Sequence, residues 1–269
     1  MKYLQTPVFI VSFNRLSYLE QLVKWLCAKQ IGNVVVLDNN STYPPLLEYY
    51  DKECPYKVIR LPENLGHCAL WHCKQFDSIL AGRHYIVTDC DIVPVEECPG
   101  DVIEYLLELS NVHKDVTKVG LSLKIDDLPD HYIFKDAVIE WEKQYYENKL
   151  GEYLYKAQLD TTFALYRPGT KPLSATKDNL QWFTAIRTAF PYQARHLPWY
   201  EDSGKTSQEA LFYQQTRIPS VSNWDTHNIS ELQVKYVQLR KSHNILLERF
   251  DHLKAMNQIL MRTVESLKK

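Results

Sequence analysis

Tyr85-Ile86-Val87-Thr88-Asp89-Cys90-Asp91 decides how this chain reads. The apolar run from Tyr85 to Val87 has the composition of a buried strand, and it delivers two carboxylates, Asp89 and Asp91, with one residue between them. Residues two apart on an extended chain flank the one between them, so at a strand end the pair can share one hard cation and its hydrated oxygens. A diphosphate is held in that way.

Upstream of this segment the chain alternates. Pro7 to Phe13 reads as a strand, and Leu16 to Lys29 as an amphipathic helix with Leu19, Leu22, Val23 and Leu26 at helical spacing. Val34 to Leu37 is a buried strand stopped by the turn signal Asp38-Asn39-Asn40-Ser41. A helix near Tyr43 to Tyr50, a strand from Tyr56 to Leu61 and a helix from Cys68 to Leu80 then lead back to Tyr85. Such alternation predicts an α/β fold with a mostly parallel central sheet, helices on both faces and a ligand at the carboxyl ends of the strands. Further on, the pattern predicts a helix at Val102 to Leu109, a strand at Lys118 to Ile125 and a helix at Ala137 to Asn148. Strands near Tyr153 to Leu159 and Thr162 to Tyr166 follow, then a loop-rich stretch to Trp199 and a helix from Ser207 to Thr216. Ile218-Pro219-Ser220 closes the domain.

At 269 residues and 45% apolar content the chain has room for one large α/β domain and an appendage. No stretch approaches the ~20 uncharged apolar residues of a membrane span, and Met1 to Pro7 lacks the apolar region of a signal peptide, so a cytoplasmic protein is expected. Six cysteines fall in the first hundred residues without CxxC pairs, which fits reduced thiols better than a disulfide frame or a zinc site. From Thr226 onward eight Lys/Arg face four Asp/Glu, a charge of +4, whereas the remainder has 23 against 29, a charge of −6. An acidic body argues against nucleic acid as a partner, and the basic tail reads as a solvated helix face that could touch an anionic surface.

Four loops, each after a strand, carry an ordered set: Phe13-Asn14-Arg15, Asp38-Asn39-Asn40-Ser41, Asn64-Leu65-Gly66 and Asp89-Cys90-Asp91. Together they resemble a family 2 glycosyltransferase of the GT-A type, closely over residues 7 to 95 and more loosely to about 217. The resemblance implies a GT-A-type Rossmann-like sandwich, a nucleotide-sugar donor, UDP-linked by preference, a saccharide or lipid-linked saccharide acceptor, and Mn²⁺ or Mg²⁺. It implies donor contacts for Phe13, Asn14 and Arg15, with Phe13 bordering the base. It also places Asp38 on the nucleobase edge or ribose, an Asx-turn role being the alternative. Asn64 and Gly66 fall in the loop that passes the nucleotide, Gly66 allowing close backbone approach. Asp89 would contact ribose or sugar and share the cation, Asp91 would ligate it, and His196 is a candidate third ligand. Inverting members use one carboxylate on the acceptor side as general base. The family's usual Glu-Asp pair is not in clear register here. Asp202 of Glu201-Asp202, which follows the mixed segment His196-Leu197-Pro198-Trp199-Tyr200, is the first choice; Asp126 and Asp127 are its rivals, with Asp160 and Glu209 behind them. His67 beside Gly66 is a weaker candidate for phosphate, while Trp71, Trp141 and Tyr145-Tyr146 read as core or helix-surface residues.

The end of the chain keeps strict heptad spacing. Ile229, Tyr236, His243, Phe250, Asn257 and Val264 occupy position a, and Leu232, Leu239, Leu246, Leu253, Leu260 and Leu267 position d. This pattern predicts a coiled coil ~58 Å long at ~1.5 Å per residue. Asn257 at a and leucine at every d favour a parallel homodimer. Lys235, Arg240, Arg249 and Lys254 at the flanks, with Leu247, Met256 and Met261 widening the stripe, keep a trimer or tetramer open. The expected organisation is therefore a glycosyltransferase-like domain over 1–222 and a C-terminal oligomerisation helix over 223–269. An inactive scaffold working through that helix is the alternative. A nucleotidyltransferase is disfavoured because no Gly-rich basic loop follows the first strand.

Overall fold

A computed structural model describes residues 5–170, 185–202 and 204–217 and the single positions 246, 250, 253, 254 and 261. By its internal contacts the chain divides into Met1–His227 and Asn228–Lys269. The first unit begins with the predicted alternation: β1 (Val8–Ser12), α1 (Leu16–Ala28), β2 (Val34–Asp38), α2 (Pro44–Lys52) and β3 (Lys57–Arg60). Short helices α3 (Ala69–His72) and α4 (Asp77–Gly82) lead to β4 (Tyr85–Asp89), followed by β5 (Ile92–Pro94) and α5 (Val102–Val112). Then come β6 (Lys118–Gly120), β7 (Ser122–Leu123), α6 (Lys135–Glu142), β8 (Leu154–Lys156), β9 (Ala164–Tyr166), β10 (Ala185–Thr188), β11 (Gln193–His196) and α7 (Gln208–Thr216).

Eight strands form one sheet in the order β3-β2-β1-β4-β9-β6-β10-β8. The β3-β2-β1-β4 half is parallel throughout, β9 runs antiparallel to both β4 and β6, β6 pairs parallel with β10, and β8 closes the edge antiparallel. β1 is buried along its whole length, as expected of a strand covered on both faces. α1 turns Leu19, Leu22, Val23 and Leu26 inward, the stripe its spacing predicts. Register then sets the site: Val11 is level with both Leu37 and Asp89, so the loops after β1, β2 and β4 leave the sheet at one edge.

Three expectations differ in detail. The single helix from Cys68 to Leu80 is broken into α3, α4 and 3-10 turns at Gly66–Cys68 and Lys74–Phe76. The strand from Lys118 to Ile125 splits after Gly120: β6 joins the large sheet, and β7 joins a three-stranded sheet ordered β5-β11-β7. Gly120 is required there, because a Cβ would stand 2.8 Å from Ala164 Cα. Finally, the stretch read as loop holds β10 and β11. The proposed coiled coil of 229–267 lies outside the described residues except at five positions; all five are helical, with Leu246, Phe250, Leu253 and Met261 more than half exposed. Among the described residues no helix is long and apolar enough to cross a membrane.

Candidate active site

A cleft of about 690 Å³ runs along the carboxyl edge of the sheet. Phe13, Arg15, Asn39, Asn64 and Gly66 line the end above β1–β3, Asp89 and Asp91 its middle, and Trp141, Glu142, Tyr145, Gln158 and Arg187 the end towards β10.

The first loop is built from outside itself. The helix that it starts has no N-cap side chain of its own and no acid in its first turn. Glu209 of α7 supplies the missing acceptor, taking the N–H groups of Leu16 at 3.1 Å and Ser17 at 3.0 Å and the Ser17 hydroxyl at 2.7 Å. Glu209 is thereby occupied as a cap and does not line the cleft. Asn14, in the left-handed region at φ 50°, is fully buried. Its Oδ1 accepts from the N–H groups of Thr42 and Tyr43, and its Nδ2 donates to Thr216 Oγ1 at 2.8 Å. The expected donor contact of Asn14 is thus replaced by a clip that ties the first loop, the second loop and α7 together. Arg15 does reach the cleft: its guanidinium lies 3.8 Å from the Tyr213 ring centroid and 3.7 Å from Glu201, and Nε and Nη1 are buried without hydrogen-bond partners. Phe13, beside it, packs edge-on against Tyr213.

In the second loop Asp38 is turned inward. It is 1% exposed, its carboxylate accepts the Ser41 N–H and the Tyr50 hydroxyl, and it is not part of the cleft lining. The Asx-turn alternative is the one observed. Burial raises its pKa in spite of these bonds. Asn39, which sequence reasoning treated only as a turn residue, is the side chain that shapes the cleft. Its Nδ2 donates to Asn64 Oδ1 at 2.7 Å and its Oδ1 accepts the Leu65 N–H at 2.7 Å. Asn64 Oδ1 also accepts the Gly66 N–H, and Gly66 holds φ +68° with open space where a Cβ would be.

The acidic pair lies where the sequence puts it. Burial, the Asp91 charge and the Asp160 charge hold the Asp89 carboxyl well above its ordinary range, against a hydrogen bond from Thr161 Oγ1. Burial also pushes Asp91 upward, but the charge and hydrogen bond of His196 and the charge of Arg15 outweigh it and leave Asp91 below its ordinary value. His196 Nε2 is 3.5 Å from Asp91 Oδ2, and its buried Nδ1 has no hydrogen-bond partner. No cluster of three or more His, Cys, Asp or Glu among the described residues forms a complete cation cage. Asp91 and the His196 imidazole face one another, with the Asp89 carboxyl two residues away in the chain, and all three line the cleft.

The three carboxylates preferred as base stand outside the cleft lining. Asp202 is a surface residue bonded to the Gly204 N–H at 2.9 Å and to Lys205 at 3.2 Å. Asp126 is exposed and paired with Lys124 at 2.6 Å. Asp127 is held by Arg195 and the Tyr200 hydroxyl, each at 2.5 Å. Other carboxylates line the cleft: Glu201, next to Asp202 in sequence, accepts the Tyr18 hydroxyl beside Arg15, and Asp160 lines it as well. Trp71 is buried in the core and Trp141 is a helix-surface residue, 51% exposed, that also borders the cleft. Arg187 carried no sequence signal, because its position is decided by a buried partner, Glu142 at 2.7 Å, that lies 45 residues away.

The family model described as glycosyl transferase family 2 matches residues 8–167. Among solved structures the chain is similar to the mannosyltransferase PcManGT from Pyrobaculum calidifontis in complex with GDP-Man and Mn²⁺, at 13% identity, 74% of this chain and 59% of that one, and a TM-score of 0.46. It is similar to S. aureus TarS at 15% identity, 71% and 36% coverage and a TM-score of 0.41. It is also similar to glucosyl-3-phosphoglycerate synthase from Mycobacterium tuberculosis in complex with Mn²⁺, UDP-glucose and phosphoglyceric acid, at 12% identity, 61% and 56% coverage and a TM-score of 0.37. The chain spans less than two thirds of each of these structures. No curated protein matches the sequence.

Proposed function

The chain belongs to glycosyl transferase family 2, and on that premise we propose that it moves a sugar from a nucleotide-sugar donor, UDP-linked, to a hydroxyl of a saccharide or lipid-linked saccharide with inversion at the anomeric carbon. The observation that carries this reading is Arg15: a buried guanidinium whose Nε and Nη1 have no hydrogen-bond partner, Nη1 having only the Glu201 ion pair at 3.7 Å, in a cleft that also holds Asp91 and His196. Leaving such donors unsatisfied costs about 1–3 kcal/mol each, more for a charged group, and an anion recovers it. The donor diphosphate is that anion. Asn64 and Gly66 pass the nucleotide, and Phe13 borders its base.

In the transfer, the acceptor oxygen bonds to the anomeric carbon as the bond from that carbon to the phosphate oxygen breaks. The bonding pair leaves with the nucleoside diphosphate, and the acceptor's proton passes to a carboxylate. We assign that proton to Asp160 in place of Asp202. Asp160 lines the cleft away from Arg15, and its one described hydrogen bond is from the Thr161 N–H at 2.9 Å, which leaves an oxygen free to accept. Glu142 is committed to Arg187, and Glu201 to Tyr18 and Arg15, where it positions the guanidinium. Asp91, with His196 and Asp89, would hold Mn²⁺ or Mg²⁺, which neutralises diphosphate charge when bound. An inactive scaffold has no support in a cleft so equipped.

The test is donor consumption. UDP-glucose, UDP-N-acetylglucosamine and GDP-mannose are each incubated with the full chain, with and without Mn²⁺, and released nucleotide is measured. At least one should be hydrolysed, faster with Mn²⁺, and consumption of none overturns the reading. We also propose that 1–222 is the catalytic domain, that 223–269 joins copies of it as a parallel coiled-coil dimer, and that the protein works in the cytoplasm. The unbroken leucine heptads and the helical state of the five described tail positions support the second of these. The six free thiols support the third.

A further inference from the structure

The two ends of the cleft differ in chemistry, and the difference bears on what the second substrate is. At the Arg15 end the guanidinium has only a loose ion pair, Nη1 to Glu201 at 3.7 Å, and its Nε and Nη1 make no hydrogen bond. At the other end the cation is already spent: Arg187 donates through Nη1 to Glu142 at 2.7 Å and through Nε to the Gln158 carbonyl at 2.5 Å, and its guanidinium lies 4.0 Å from the Tyr145 ring centroid. What remains there is the exposed carboxylate of Asp160, the exposed amide of Gln158 and an aromatic corner, Trp141 meeting Tyr145 edge-on at 6.4 Å. Trp141 stays 51% exposed although it lines a cavity. Among the described residues, a phosphate or carboxylate entering this end would meet Asp160 and the Glu142–Arg187 pair and no unpaired arginine. A ring of C–H groups and hydroxyls would meet an apolar aromatic face and acceptors of both charged and neutral kind.

We infer that the Trp141–Tyr145 corner is the acceptor subsite and that it takes a neutral sugar ring, stacked on Trp141 with its hydroxyls on Asp160 and Gln158. The inference rests on the glycosyltransferase reading for the word acceptor, but the binding itself is measurable without turnover. Gln158 and Asp160 line the cleft from the segment after β8 and Trp141 from α6, and the ring hydroxyl bound by Asp160 is the one that would react.

The probes are methyl β-cellobioside, methyl α-mannobioside and methyl β-lactoside against glucose 6-phosphate, followed by saturation-transfer NMR on the full chain. At least one neutral disaccharide should bind, Trp141→Ala should weaken it about ten-fold, and Trp141→Phe should restore most of the loss. With a consumable donor, the Trp141→Ala effect should fall on the acceptor KM rather than on the donor KM. No binding of any neutral probe, tighter binding of glucose 6-phosphate, or equal affinities for wild type and Trp141→Ala would each overturn the assignment. Absence of donor consumption alongside Trp141-dependent disaccharide binding would instead refute the transferase reading and leave a saccharide site standing.

Discussion

Removing the carboxylate of Glu209 tests whether α7 belongs to the site or merely lies against it. Glu209 accepts the first two N–H groups of α1 and the Ser17 hydroxyl, a capping set that no residue near position 15 in sequence provides. Loss of an N-cap costs about 1 kcal/mol, and loss of a negative charge from a helix N-terminus adds about 0.3–1 kcal/mol. Glu209→Ala should therefore destabilise by about 2 kcal/mol, and Glu209→Gln, which keeps an acceptor and loses the charge, by about half of that. At roughly 2–4 °C per kcal/mol for a domain of this size, the melting temperature should fall by about 4–8 °C in the alanine variant. Differential scanning fluorimetry reads this directly. Because α1 starts beside Arg15, the same variants should raise the donor KM before they lower kcat. An alanine variant that melts within about one degree of wild type would refute the capping argument, and an unchanged donor KM with a lowered kcat would return Glu209 to the list of bases.

Asp91→Asn keeps the shape and loses the charge facing His196, so Mn²⁺-stimulated donor consumption should vanish while the melting temperature holds; unchanged Mn²⁺ affinity by titration would contradict the cation role. Asp160→Asn should lower kcat at least a hundred-fold with little change in donor affinity, whereas Asp202→Asn, on the surface, should retain turnover; the reverse pattern in initial-rate kinetics would undo the reassignment. Burial lowers Lys118 to about 7, well under its unfolded value, so between about pH 7 and 10 the unfolded chain binds the extra proton and stability rises with pH. The rise should approach about 1.4 kcal/mol per pH unit in urea unfolding and disappear in Lys118→Met; equal slopes would show that folding does not lower the Lys118 pKa. Leu246→Asp with Leu253→Asp should convert an oligomeric chain to a monomer by light scattering, since each buried unpaired charge costs several kcal/mol; a monomeric wild-type chain would remove the coiled coil.

The parallel half of the sheet was legible because β1, β2 and β4 are near-continuous apolar runs ended by turn residues, and periodicity reports burial on both faces. The acidic pair was legible for the same reason, being attached to β4. What sequence could not show is which way a polar side chain at a strand end turns. Asn14 and Asp38 are the residue types that bind ligands and also the types that close turns, and both are consumed by backbone N–H groups. Asn39, beside Asp38, took the cleft position. Contacts across long stretches of chain were equally hidden: the Glu209 cap spans more than 190 residues, and a segment whose composition reads as loop becomes β10 by pairing with the distant strands β6 and β8. Trp141 reads from sequence as a core or helix-surface residue, and it is on a helix surface that borders the cleft. Its cleft position depends on where α6 ends against β10.

Nucleotide release from a panel of sugar nucleotides, measured for wild type, Arg15→Met and Asp91→Asn at fixed Mn²⁺, tests the central claim most directly. The account predicts release by wild type from at least one donor, with donor KM raised at least ten-fold in Arg15→Met and release abolished in Asp91→Asn. Release that both variants sustain at the wild-type rate, or a wild-type protein that binds and consumes no sugar nucleotide, would contradict it.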